Sequence, residues 1–199
     1  MNLDSRLAGA DRSAPGPVRW ALVTGTRGTD RSGLTLGVLD ALRRRGVAVG
    51  GFRQEVIDGE GGERAGYSLR HLTDGELVTV ATRGGPGCEC GDRVCDYTFD
   101  PSILARSRGW IADDAADHPV LLIESVNRLE IAGKGHAPAV EAALATGRIV
   151  VLAARAERVA AMVERFGLDE PVAALELGDG EGDVERFADD ISRAVRASA

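Results

Sequence analysis

An apolar run, Trp20–Thr24, leads into Gly25-Thr26-Arg27-Gly28-Thr29-Asp30-Arg31-Ser32, and a helix-like pattern follows from Leu34 to Leu42. Strand, Gly-rich turn and helix in that order are the setting of a phosphate-binding loop. Backbone N–H groups and the positive end of a helix close there on phosphate oxygens. The full form of such a loop is G-x-x-x-x-G-K-S/T. Gly25 and Ser32 fit it, while Asp30 and Arg31 stand where Gly and Lys belong. Asp30 brings a negative charge toward the phosphates, a repulsion of roughly 4 kcal/mol at about 4 Å and an effective dielectric near 20. Arg31 keeps the positive charge, and its fork can grip a phosphate or pair with Asp30. A second frame, Gly28 to Gly33-Leu34-Thr35, restores Gly and Thr but puts Leu34 at the Lys position, where it supplies no charge. The first frame therefore assigns Gly25, Thr26, Arg27, Gly28, Thr29, Asp30, Arg31 and Ser32 to phosphate binding.

Two carboxylates form the next constellation. Val120-Leu121-Leu122-Ile123 is a continuous apolar run of the kind that builds a strand buried on both faces, and Glu124 sits at its end. Glu124 and the Ser32 hydroxyl are the hard oxygen donors that Mg²⁺ takes beside a nucleotide. Ser125 follows, a hydroxyl that cannot serve as a base without a partner, and Glu130 lies five residues on.

Cys88, Cys90 and Cys95 form the third constellation and are the only cysteines in the chain. They share one loop rich in Gly and Asp. C-x-C-x₄-C is neither a usual zinc nor a ferredoxin spacing. The alternatives stay open: zinc with a fourth ligand from His71, His118 or His136, an iron–sulfur cluster shared across a dimer, a Cys88–Cys95 disulfide, or free thiols.

The elements that must position these groups follow from pattern. A chain of 199 residues with 44% hydrophobic and 28% charged residues fits one soluble domain. Residues 1–17 are expected to form a flexible tail and 18–199 the domain, with an insertion at about 53–98. Strands are expected at Arg19–Val23 and Val47–Phe52, then short antiparallel ones at Gln54–Ile57, Arg64–Leu69 and Glu76–Ala81, separated by Gly-rich turns. A helix at Pro101–Ala116 is capped by Asp100. Strand Val120–Ile123, helix Ala137–Ala145, strand Ile149–Ala153, helix Glu157–Phe166, strand Val172–Leu177 and helix Asp183–Ala197 complete the alternation. That order predicts an α/β fold with a mostly parallel sheet flanked by helices and a small antiparallel β insertion. Ligands of such sheets bind at the carboxyl ends of the strands. Arg19–Val23 and Val120–Ile123 are expected to be neighbours, so that Ser32 and Glu124 reach one metal ion.

A net charge of −7 argues against broad nucleic-acid binding, and Arg43-Arg44-Arg45 suits the end of a helix. The sequence has no apolar stretch of transmembrane length and no apolar leader, so a cytoplasmic protein off the membrane is expected.

With these motifs in place, the chain resembles the small P-loop nucleoside-triphosphatases first studied in thermophiles, a nucleotide kinase-related family. The likeness rests on the loop and helix, Gly50-Gly51-Phe52, Glu55-Val56, Arg64-Ala65-Gly66-Tyr67, Leu72–Glu76, Tyr97–Asp100 and Leu121–Glu130. It spans about residues 19–167. The resemblance implies a P-loop NTPase-like fold, a nucleotide ligand and Mg²⁺. The family has Asp-Glu where this chain has Glu124-Ser125; the Asp holds magnesium through water and the Glu orients the attacking water. Glu130 matches the family's second Glu and is the catalytic candidate that the resemblance leaves. Both motifs are thus degenerate. The expected function is binding of a nucleoside triphosphate or related phosphate ligand with weak or absent hydrolysis. Alternatives are an active hydrolase, and a metal- or redox-responsive accessory protein that uses Cys88, Cys90 and Cys95 and works on an unidentified protein partner.

Overall fold

The computed structural model describes residues 18–25, 31–84, 97–176 and 181–198. Trp20–Gly25 forms strand β1, buried along its whole length as its unbroken apolar run requires. Arg31–Arg44 forms helix α1, which ends on Arg43 and Arg44 and then turns at Gly46 with φ of 72°. Strand β2 (Val49–Asp58) is followed by β3 (Arg64–His71), β4 (Leu77–Arg83) and β5 (Tyr97–Phe99). Helix α2 (Pro101–Asp117) starts as expected: the Asp100 carboxylate accepts the Ser102 N–H at 2.8 Å, and Pro101 opens the first turn. Then come β6 (Val120–Val126), a one-turn helix α3 (Arg128–Ile131), α4 (Ala137–Leu144), β7 (Ile149–Arg155), a 3₁₀ turn (Ala156–Arg158), α5 (Val159–Phe166), β8 (Ala173–Glu176) and α6 (Glu181–Arg196).

The eight strands form one sheet in the order β5-β4-β3-β2-β6-β7-β1-β8. From β2 to β8 the neighbours run parallel, and from β2 to β5 antiparallel. Two sequence expectations change here. The segments Val47–Phe52 and Gln54–Ile57 are one strand, whose first half pairs with β6 and whose second half pairs with β3. Its burial falls away at Arg53, where the cover of helices ends. The strand that carries the loop and the strand that carries Glu124 are not neighbours, because β7 lies between them. The runs Val120–Ile123 and Ile149–Ala154 are both fully buried, so each needs a partner on either side. That demand puts β7 inside the sheet and β1 one place further out.

Side chains alternate between two cores. One face packs Ala21, Val23, Leu122 and Val151 under α1 and α6, through Val38, Leu42, Phe187 and Ile191. The other packs Leu22, Phe52, Ile123 and Leu152 under α2, α4 and α5, through Trp110, Val140 and Met162. No helix among the described residues is long and apolar enough to cross a membrane.

Candidate functional site

The carboxyl ends of β1, β7, β6 and β2 meet along one edge. Gly25 ends β1 opposite Arg155 of β7. The hydroxyl of Thr24, the residue before Gly25, is buried without a hydrogen-bond partner among the described residues. Thr26, Arg27, Gly28, Thr29 and Asp30 lie outside the described residues. Arg31 opens α1, and Ser32 is half-buried in its first turn.

Glu124 is 3% exposed near the carboxyl end of β6. Strand alternation puts it on the α1 side with Val120 and Leu122. Its Oε2 accepts the Gln54 backbone N–H at 3.1 Å and lies 3.6 Å from Nε of Arg53, itself 11% exposed. Arg53 also approaches Glu55 at 3.5 Å. Arg70 grips Glu55 with both prongs, at 2.6 and 3.0 Å, and that hydrogen bonding holds the Glu55 carboxyl below its ordinary range. Arg53 was not singled out in the sequence; it is a cation already facing the carboxylate expected to hold Mg²⁺. The donor set still fits the ion. Mg²⁺ keeps several waters and needs one or two protein oxygens beside the phosphates, and Ser32 and Glu124 supply hard ones.

Glu130 is 4% exposed. Its Oε2 accepts the Asn127 N–H at 2.8 Å and its Oε1 the His136 N–H at 3.1 Å. The first bond belongs to a capping box at the start of α3. Burial holds the carboxyl above its ordinary value, and the backbone N–H groups counter only part of that rise. Both oxygens are thus committed to shaping the turn between β6 and α4.

His136 lies beside Glu130, buried against Phe52 with ring centroids 4.9 Å apart. Burial pushes its pKa down to about 4, so the ring is neutral at neutral pH. Ser107 Oγ donates to the Leu104 carbonyl at 2.9 Å and stands 3.2 Å from Nδ1. Hydrogen-bond accounting then puts the ring proton on Nδ1. Nε2 is left as a buried acceptor without a partner among the described residues.

Glu130 and His136 line a cavity of about 230 Å³ together with Gln54, Tyr67, Tyr97, Phe99, Arg155 and Arg158. The insertion supplies the aromatic wall, with Tyr67 and Tyr97 tilted against each other at 5.0 Å. The sheet edge supplies the cations. Arg155 ends an apolar strand just as Glu124 does, a signal that was present in the sequence and not used.

Cys88, Cys90 and Cys95 lie outside the described residues. Among the described residues no group of three or more His, Cys, Asp or Glu side chains could hold a metal ion. Of the histidines considered as a fourth ligand, His71 has Nδ1 at 2.9 Å from Asp74 and Nε2 at 3.1 Å from Asp114, and it stacks on Trp110. His118 Nδ1 sits 3.0 Å from the Asp114 carbonyl oxygen, and His136 is buried as described.

Comparison with curated proteins gives no match. Among solved structures, the fold matches the solution structure of a human cancer-related nucleoside triphosphatase with a TM-score of 0.59. The two chains are 21% identical over 91% of this chain and 99% of that one. The family described as NTPase matches residues 21–188. A match of that extent, with the loop strand, Glu124 and Glu130 all inside it, means that this chain belongs to the NTPase family.

Proposed function

We propose that the protein binds a nucleoside triphosphate at the loop after β1 and turns it over slowly or not at all. Gly25–Ser32 would wrap the phosphates, Arg31 would stand in for the usual Lys, and Ser32 with Glu124 would hold Mg²⁺. Bound there, the ion would neutralise phosphate charge. The observation that carries the reading is the Glu124–Arg53 pair. The strand-end carboxylate is kept, buried and ionically balanced, while the next residue is Ser125, with no carboxylate to orient a water. Glu130 supports binding rather than hydrolysis, because both its oxygens accept backbone N–H groups. On this reading it positions Asn127 and His136. Loss of one positioning or electrostatic group can cost about a hundredfold in rate, and this chain departs at three such positions.

The test is nucleotide titration and turnover on wild type and on the triple variant Asp30→Gly, Arg31→Lys, Ser125→Glu. Wild type should bind with little hydrolysis, and the variant should gain at least about tenfold in turnover. Fast hydrolysis by wild type that Arg31→Ala abolishes would instead make it a working hydrolase.

A further inference from the structure

The cavity at the edge of the sheet is not accounted for by the phosphate loop. Strand alternation divides the edge in two. Arg53 and Glu124 face α1, and alternation past Ala153 and Ala154 puts Arg155 with them at the end of β7, while Gln54, Tyr67 and Phe99 share the opposite side with Phe52 and His136. On the nucleotide reading, Mg²⁺ held by Glu124 would lie on the first side. The ring wall of the cavity lies on the second, and Arg155 reaches the cavity from the strand end.

Its lining is chemically lopsided. One end carries Arg155 and Arg158, both half-buried, and Arg128. None of the three makes an ion pair with a described carboxylate, whereas Arg44, Arg45, Arg70, Arg83, Arg106 and Arg165 all do. The carboxylate in the cavity wall, Glu130, is held by backbone N–H groups and does not neutralise them. Guanidinium groups that no described carboxylate pairs, gathered at a concave site, favour an anion, which their forks meet bidentately. The other end is the ring wall of Tyr67, Tyr97 and Phe99, flanked by the amide of Gln54 and by neutral His136 with its unsatisfied Nε2. Ring faces and edges of this kind hold a planar group. A volume of about 230 Å³ falls below the roughly 300 Å³ at which pockets for drug-sized ligands begin, so one ring fits.

We propose that this cavity is a second ligand site, for a small molecule with a single planar ring and one phosphate or carboxylate group. Arg155 and Arg158 hold the anion, and Tyr67, Tyr97 and Phe99 hold the ring. The proposal uses the nucleotide reading only to say what occupies the neighbouring loop. With Arg155 opposite Gly25 in the sheet register, the anionic end of this ligand faces the start of that loop.

The test is calorimetric titration with cytidine monophosphate, nicotinate, cytidine and inorganic phosphate, on wild type, Arg158→Gln, Tyr67→Leu and Arg31→Ala, each checked by thermal melting. Cytidine monophosphate or nicotinate should bind wild type. Cytidine and phosphate, each missing one end, should bind at least about tenfold more weakly. Arg158→Gln and Tyr67→Leu should each weaken the ring anion by a similar factor. Arg31→Ala should leave it unchanged while weakening a nucleoside triphosphate. Arg158 sits on a surface turn, so that variant decides the matter if Tyr67→Leu does not fold. The proposal is overturned if neither ring anion binds at millimolar concentration, or if Arg158→Gln leaves binding unchanged. Loss of binding in Arg31→Ala would also overturn it, since the molecule would then sit on the phosphate loop. Failure of the triphosphate alone to bind would sink the nucleotide reading and leave this site standing.

Discussion

Replacing His136 by Phe should reverse its effect on stability between neutral and acid pH. His136 is 3% exposed, and burial lowers its pKa from 6.5 to about 4. The unfolded chain therefore takes up a proton below pH 6.5 that the folded chain refuses until about pH 4. The folded state loses stability across that window as pH falls, and keeps all of it above 6.5. At pH 4.5 the linkage gives a loss of about 2.5 kcal/mol. Phe preserves the ring against Phe52 and cannot titrate. It loses the contact with Ser107, worth about 1 kcal/mol, while the Ser107 hydroxyl keeps its bond to Leu104. The variant should thus be less stable than wild type by about 1 kcal/mol at neutral pH and more stable by about 1.5 kcal/mol near pH 4.5. Glu130 shifts the other way, since its burial penalty grows as pH rises from its ordinary value, but it is present in both proteins and cancels to first order. Urea denaturation at several pH values reads the difference directly. Curves that stay parallel from pH 7 to 4.5 would refute the claim that His136 is buried and neutral. They would also remove the reason to count it as a hydrogen-bonding wall of the cavity rather than one more cation.

Three further outcomes follow from the geometry. Arg53→Gln removes the partner of a buried carboxylate and should cost about 3 kcal/mol or more; Mg²⁺ should raise the melting temperature of that variant more than that of wild type, because Glu124 no longer faces a guanidinium. Gly51→Ala should abolish cooperative folding, read by circular dichroism: Gly51 has φ of 96°, a Cβ there runs into the Leu122 backbone, and the Gly51 N–H donates to buried Asp114 at 2.6 Å. If Cys88, Cys90 and Cys95 ligate a metal, anaerobically purified protein should carry zinc or iron near stoichiometry and lose it in Cys90→Ser with the α/β core intact; metal-free protein with three freely titrating thiols would make the cluster incidental.

The parallel half of the fold was legible because its strands are continuous apolar runs and its helices carry their own start and stop signals, as Asp100-Pro101 and Gly167 do. Strand order was not legible. Nothing local in Ile149–Arg155 says that it enters between β1 and β6; that follows from which buried strands still need partners, a property of the whole sheet. The break placed at Arg53 has a similar origin. A charged residue interrupts the pattern, yet the strand runs on because its outer half finds β3. At the site, Glu124 and Glu130 were singled out by type and position, but their partners come from elsewhere in the chain. Arg53 reaches Glu124 across 71 residues, and the aromatic wall of the cavity comes from β3 and β5. One local signal was missed. Asn127 followed at three residues by Glu130 is the spacing of a capping box, and it marks Glu130 as a carboxylate whose oxygens serve the backbone.

On the proposed reading, this chain departs from the motif it resembles in delivered charge and keeps the positions that shape backbone. Gly25 still ends the loop strand. Gly51 still lets β2 press against β6, and Glu130 still folds the turn that carries Asn127 and His136. Asp30 and Ser125 change what a phosphate or an attacking water would meet. Arg53 fits this division. A buried carboxylate with no cation nearby is costly, and in an intact site that cation is the metal. Here Arg53 is built into the strand next to Glu124, so the chain itself supplies the carboxylate with a cation. A site held together in this way does not need its metal to stay folded. On the proposed reading, the same pairing would make Mg²⁺ compete for Glu124 and lower the field available to a reacting phosphate. Stable geometry with a weakened field is the combination expected of a site that holds a nucleotide rather than consumes it.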